Sequence, residues 1–350
     1  MIVLMKPNTR EGAIADVVAA LTAAGARVHR LDAERVSLAT TGGTLEPVAL
    51  RSLAGVAAVL DASATPLVEA SRPTPGRPAA ERGFEIGAHR IGGLLPVVFA
   101  GPCSVEDEDT MHAIAQRVAA AGAIGLRAGV WKPRTSPYAF QGAGEDGLML
   151  LRRAADAHGL LVVSEVLDAT QIPLAARYCD VLQVGARNMH NASLLRELGR
   201  ARRPVLLKRG MAATVDEWIA AAEYVVSAGE RRVILCERGI RTFETSTRNT
   251  LDLNAVAVAR ERTQLPVLVD PSHGTGRRTL VPPLALAAIA AGADGLLIEA
   301  HVEPDRALSD GVQTIGTDRL AELLARARAL AALLEGGSGI SAACAQASMR

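Results

Sequence analysis

From Phe84 to about Leu334 the chain alternates between short apolar runs and longer stretches of helical period. No other feature limits its possible folds as strongly. The apolar runs fall at Val97–Ala100, Gly125–Ala128, Leu161–Ser164, Val181–Val184, Val205–Lys208, Val233–Cys236, Val267–Val269 and Gly295–Ile298, and each reads as a short strand. Helical stretches such as Met111–Ala121, Asp146–Ala157, Val215–Ser227, Leu251–Arg262 and Leu284–Ala291 lie between them. The third of these is opened by a capping box, Thr214 with Glu217. Strand–helix repeats of this number over about 250 residues predict an α/β protein, a (β/α)8 TIM barrel over 84–335. A doubly wound open sheet is the alternative, but no GxGxxG opens a helix after an early strand. Phe84–Gly93 would form a hairpin closing the bottom of the barrel.

The residues ahead of the barrel follow a different pattern. Over 1–70 the order is strand, helix, two strands, helix, strand: Ile2–Met5, Gly12–Ala24, Arg27–Leu31, Arg35–Ala39, Pro47–Leu53 and Val56–Leu60. This βαββαβ order predicts a small ferredoxin-like α+β domain. Residues 71–83, rich in Pro and Arg, read as a linker, and 336–350, rich in Ala, Ser and Gly, as a disordered tail.

The balance of 38 basic against 37 acidic side chains leaves no global field to attract nucleic acid. No polybasic amphipathic segment addresses a membrane surface, and the longest apolar runs, such as Leu284–Ala293, are too short to span a bilayer. The cysteines at 103, 179, 236 and 344 show no CxxC spacing, as expected in a reducing compartment. With no signal peptide at the N-terminus, the expectation is a soluble cytoplasmic protein.

In a barrel of this kind chemistry collects at the C-terminal strand ends. Two groups of side chains are delivered there. Arg127, Lys132, Arg134, Arg187, Lys208 and Arg238 would repel one another at one mouth unless anions bind among them. Part of this group sits on the stretch Leu126–Gln141, whose Pro133 and Pro137 hold Lys132 and Ser136 out of the helical region and bring Thr135 and Ser136 alongside. A solvated basic loop is the plainer reading of that stretch, but cations recurring at later strand ends favour an anion site for more than one phosphate, or a phosphate with a carboxylate. The second group is Cys103, His273, Glu299 and Asp310, at the first, seventh and eighth strand ends. Singly these are a buried thiol, a satisfied histidine and salt-bridged acids. Together they make a mixed site for a divalent first-row metal.

Several stretches resemble one family. GPCSVE at 101–106, WKPRTSPYAFQG at 131–142, GARN at 185–188, LLKRG at 206–210, CERGIRTFE at 236–244, DPSHGTG at 270–276, IEAH at 298–301 and LSDG at 308–311 are similar to the type I 3-deoxy-D-arabino-heptulosonate 7-phosphate (DAHP) synthases. The resemblance extends to the subgroup with an N-terminal ferredoxin-like domain. It implies a transferase that condenses phosphoenolpyruvate with erythrose 4-phosphate and releases phosphate, at the entry to the shikimate pathway of aromatic amino-acid biosynthesis. It further implies a divalent metal (Mn, Fe, Co or Zn) held by Cys103, His273, Glu299 and Asp310. Phosphoenolpyruvate would be bound by Arg127, Lys132, Arg187, Lys208 and Arg238, and the aldose phosphate by Arg134, Thr135 and Ser136. Lys132 is the expected proton donor, with Asp270 and His273 as further catalytic residues. Relatives carrying the extra domain lead to the expectation of a homotetramer inhibited by tyrosine or phenylalanine.

Other functions weigh against this one. 3-Deoxy-D-manno-octulosonate 8-phosphate synthase is the nearest alternative, but that family carries Ala-Asn where this chain has Pro133-Arg134. A Schiff-base aldolase using Lys208 would leave the metal-type ligands unexplained. A non-enzymatic sensor built on the N-terminal unit would not account for the barrel mouth.

Overall fold

The computed structural model describes residues 2–6, 8–30, 37–41, 46–60, 68, 83–132, 138 and 142–347. The small N-terminal unit contains β1 (Ile2–Met5), α1 (Glu11–Ala23), β2 (Arg27–Arg30), β3 (Ser37–Thr41), α2 (Pro47–Arg51) and β4 (Val56–Leu60). Its strands form an antiparallel sheet in the order β2-β3-β1-β4, the ferredoxin-like arrangement. Val3, Ile14, Val17, Leu21, Leu38, Leu50 and Val59 form a core of its own. Much of the expected linker, from 71 through 82, lies outside the described residues.

A hairpin of β5 (Phe84–Ile86) and β6 (His89–Ile91) leads into eight parallel strands. These are β7 (Val97–Gly101), β8 (Gly125–Arg127), β9 (Leu161–Val166), β10 (Val181–Val184), β11 (Val205–Lys208), β12 (Val233–Glu237), β13 (Val267–Val269) and β14 (Gly295–His301). Each pairs with the next in chain order, and β14 returns to β7 through Gly295–Val97 and onward, so the barrel is closed. Outside it lie α3 (Glu108–Ala120), α4 (Gly144–Asp156), α5 (Ile172–Tyr178), α6 (Ala192–Arg200), α7 (Val215–Ser227), α8 (Leu253–Arg262), α9 (Pro271–Thr275), α10 (Val281–Ala290) and α11 (Thr317–Ala347). The capping box at Thr214 and Glu217 is formed, with the Glu217 amide donating to the Thr214 hydroxyl and the Glu217 carboxylate accepting from the Thr214 amide.

Side-chain parity explains the barrel's contents. Phe99, Val163, Val181, Leu206, Ile234, Leu268 and Leu297 point inward and pack on Ile86 and Ile91 of the hairpin, which plugs the bottom as expected. Their chain neighbours Val98, Val162, Val205, Leu207, Val233, Leu235, Val267, Val269, Leu296 and Ile298 join the layer beneath the helices. Because strand side chains alternate, residues two or four places beyond the inward apolar ones face the mouth. Lys208, Arg238, Asp270 and Glu299 occupy those positions, and Arg127 lies two places beyond Gly125, whose missing side chain leaves room for the Phe99 ring. The last helix differs from expectation: α11 continues to Ala347, through most of the stretch whose composition predicts a disordered tail. The physical reason is local, since this stretch is rich in alanine, the strongest helix former.

Candidate active site at the barrel mouth

Gly101 begins the site. Its φ of +152° and the 2.3 Å that would separate a Cβ from the Arg127 carbonyl reserve this position for glycine. The close approach lets the turn after β7 lie on the end of β8, with Ser104 bridged to Gly129. Cys103, 4% exposed, is held there. Lys132 Nζ stands 2.8 Å from its Sγ and 2.8 Å from its carbonyl oxygen, while the thiol donates to Asp310 Oδ2 at 2.9 Å. Burial, and then the Glu299 carboxylate, pushes the thiol up to about 12.

Cys103, Glu299 and Asp310 offer ligand atoms that all lie within 4.8 Å of one another. His273 borders this cluster, its Nε2 3.6 Å from Glu299 Oε1. Thiol, imidazole and two carboxylates in one place suit a divalent first-row metal. The surroundings orient these donors. Arg127 donates to Glu299 Oε1 at 3.1 Å and to the Pro102 carbonyl at 2.8 Å, and Gln313 donates to Glu299 Oε2. Asp270, 1% exposed, takes His273 Nδ1 at 2.7 Å and Lys208 Nζ at 2.6 Å on one carboxylate oxygen. Its burial alone would raise the carboxyl, but His273 and Lys208 outweigh it and hold the group well below the usual range. Asp310 is likewise lowered against the effect of its burial, by the Cys103 thiol and His273.

Beside the cluster opens a cavity of about 290 Å³. Its walls include Arg127, Lys132, Arg187, Lys208, Arg238, Arg241 and Arg248, with Cys103, His273 and Asp310 on the metal side. Ser164, Glu165 and Gln183 line it as well, and Gln183 donates to Glu165 at 3.1 Å. Arg238 is buried, and this burial lowers its pKa. Among the described residues its guanidinium has the Gly239 and His273 carbonyls as hydrogen-bond partners, each at 3.4 Å. Such a donor set suits an incoming anion. The expected aldose-phosphate residues Arg134, Thr135 and Ser136 lie outside the described residues.

Not every charged strand end contributes to the cavity. Arg209 and Glu237 have the opposite parity and pair with each other at 3.0 Å, with Asp252 joining Arg209 at 2.8 Å. His301 faces Glu106 instead of the metal cluster. Arg241 and Arg248 were not foreseen as site residues, although Arg241 lies within the CERGIRTFE stretch. For Arg248 and Gln313, which lie far along their loops, strand periodicity carries no signal.

The fold and this mouth define a class: a (β/α)8 enzyme with a cation-lined cavity adjoining a thiol–carboxylate cluster. The chain belongs to the DAHP synthetase I family, which matches residues 80–334. A phospho-2-dehydro-3-deoxyheptonate aldolase of Thermotoga maritima is 49% identical over 248 residues, 71% of this chain and 73% of that protein. A crystal structure of the Thermotoga maritima DAHP synthase aligns over 95% of this chain and 97% of its own, at 41% identity and a TM-score of 0.74. More distant is a 2-dehydro-3-deoxyphosphooctonate aldolase of Geobacter sulfurreducens, 32% identical over 273 residues, 73% of this chain and 99% of that protein.

Proposed function

We propose that this chain is a metal-dependent DAHP synthase, a transferase joining phosphoenolpyruvate to erythrose 4-phosphate. The carrying observation is the cation-walled cavity abutting the thiol–carboxylate cluster, which brings an anion site and a metal site within reach of one reaction. Similarity to the Thermotoga enzyme at 49%, against 32% for the octulosonate relative, supports the seven-carbon product. The Schiff-base alternative finds little support, since Lys208 Nζ is held at 2.6 Å by Asp270.

In the reaction, C3 of phosphoenolpyruvate bonds to the aldehyde carbon, water adds at C2, and the C2–O bond to phosphate breaks. Arg127, Lys132, Arg187, Lys208 and Arg238 would hold the phosphate and carboxylate of phosphoenolpyruvate. Arg134, Thr135 and Ser136 would take the phosphate of the aldose. Cys103, His273, Glu299 and Asp310 would hold Mn, Fe, Co or Zn, which when bound polarises the aldehyde carbonyl as a Lewis acid. Lys132, at 2.8 Å from the Cys103 sulfur, stands between the two sites and would give a proton to the oxygen that was the aldehyde's. Asp270 fixes Lys208 and the His273 ring through one carboxylate oxygen. A chelator should abolish turnover and a divalent cation restore it, with Cys103→Ala losing bound metal and turnover together. Full activity in metal-free protein would refute the assignment.

The N-terminal sheet, with a core of its own, supports a regulatory role for that unit in a cytoplasmic homotetramer, with tyrosine or phenylalanine as effector. Among the described residues no helix is long and apolar enough to cross a membrane.

A further inference from the structure

The metal-side loop after β14 is attached to the loop after β7 at three successive points. Cys103 donates to Asp310, the Ser104 and Ser309 hydroxyls are 2.6 Å apart, and the Leu308 amide donates to Glu106 Oε1 at 3.0 Å. The other carboxylate oxygen of Glu106 lies 3.3 Å from His301 Nε2, and the two side chains are 8% and 3% exposed. His301 Nδ1 in turn accepts from the Glu303 amide at 2.9 Å. That bond assigns the ring proton of the neutral imidazole to Nε2, facing Glu106. One Glu106 carboxylate therefore accepts from Leu308 on one flank of the segment 303–308 and stands at ion-pair distance, without a hydrogen bond, from the otherwise unpartnered His301 Nε2 on the other, and Asp310 follows two residues later at φ +55°, in the left-handed region. Aspartate accepts that conformation more readily than most residues, and the three attachments hold it there.

We propose that Glu106 is a positioning residue for the metal site: through Leu308 and His301 it sets the arm that presents Asp310. This inference rests on the metal reading given above. Glu106 reaches neither the ligand cluster nor the cavity wall, so its effect must pass through the arm. A carboxylate is required because both groups it meets are donors. In Glu106→Gln the amide nitrogen faces either the Leu308 N–H or the His301 Nε2–H, and switching the histidine tautomer would only move the conflict to the Glu303 N–H.

The test is titration of metal-free full-length protein with Co²⁺ against a competing chelator, recording the thiolate-to-cobalt charge-transfer band and the ligand-field bands. Wild type should show both. Glu106→Gln should weaken Co²⁺ binding by roughly ten- to a hundredfold. At saturating Co²⁺ it should keep the charge-transfer band of Cys103 while its ligand-field bands shift as the Asp310 oxygen is misplaced. Glu106→Asp, charged but shorter, should fall between the two, and Glu108→Gln on the exposed start of α3 should behave as wild type. Unchanged affinity in Glu106→Gln would overturn the proposal. So would a lowered melting temperature with an unaltered ligand-field spectrum, the mark of a merely structural role. If wild type itself takes up Co²⁺ without a thiolate band, the metal reading fails and this inference with it.

Discussion

Asp270 illustrates how a buried charge is kept at this mouth. Its carboxylate is balanced by Lys208 on one side and His273 on the other. Removing one member of such a set leaves the other charge stranded, so Asp270→Asn should destabilise the barrel by about 3–5 kcal/mol. Turnover should fall as well, because Lys208 and the His273 ring lose their fixed point. The pH dependence has a definite sign. Asp270 is depressed in the folded protein, so its contribution is fully present above the ordinary aspartate value of 3.8 and is lost as pH falls through its lower folded value. Urea titrations at descending pH should show wild type approaching the Asn variant in the acid. Parallel curves for the two proteins would rule out this linkage. At this scale the sequence was informative wherever strand parity applied: Lys208, Arg238, Asp270 and Glu299 can be placed from their spacing to inward apolar residues, and Arg127 from its place at a strand end. Parity also separates Arg209 and Glu237 from the cavity. It says nothing about Arg248, Gln313 or Glu106, whose positions depend on loop paths set by long-range contacts.

Among the elements, the strands were the most legible. Most agree with the structure to within a residue or two, because a short apolar run between helical stretches has few other readings. The short helices α5, α6 and α9 are harder to see, being five to nine residues long with little periodicity to measure. The N-terminal sheet was legible as a unit, but its purpose was not, since it gathers no reactive cluster in the sequence. If it regulates a barrel that is catalytically self-sufficient, a chain starting near Ala79 should remain active and become insensitive to millimolar tyrosine or phenylalanine that inhibits the full chain. A full-length protein indifferent to aromatic amino acids would instead assign the domain to assembly.

For the whole molecule, a formal net charge of +1 coexists with a strongly cationic mouth, so the positive potential comes from placement and not from composition. The closed barrel brings strand ends from Arg127 to Arg238 around one cavity, and the β7–β14 seam brings the thiol of Cys103 to the acids of the last strand and its loop. Neither gathering exists in any short stretch of sequence. If these two gatherings serve one condensation with erythrose 4-phosphate as the acceptor, loss of phosphate from phosphoenolpyruvate must depend on that aldose. Its most direct test is release of inorganic phosphate from phosphoenolpyruvate by the purified, metal-loaded chain, measured with erythrose 4-phosphate and with arabinose 5-phosphate. Release should depend on erythrose 4-phosphate, with DAHP formed in equal amount, and be small with the five-carbon sugar. Preference for arabinose 5-phosphate, or phosphate release indifferent to any aldose, would contradict it.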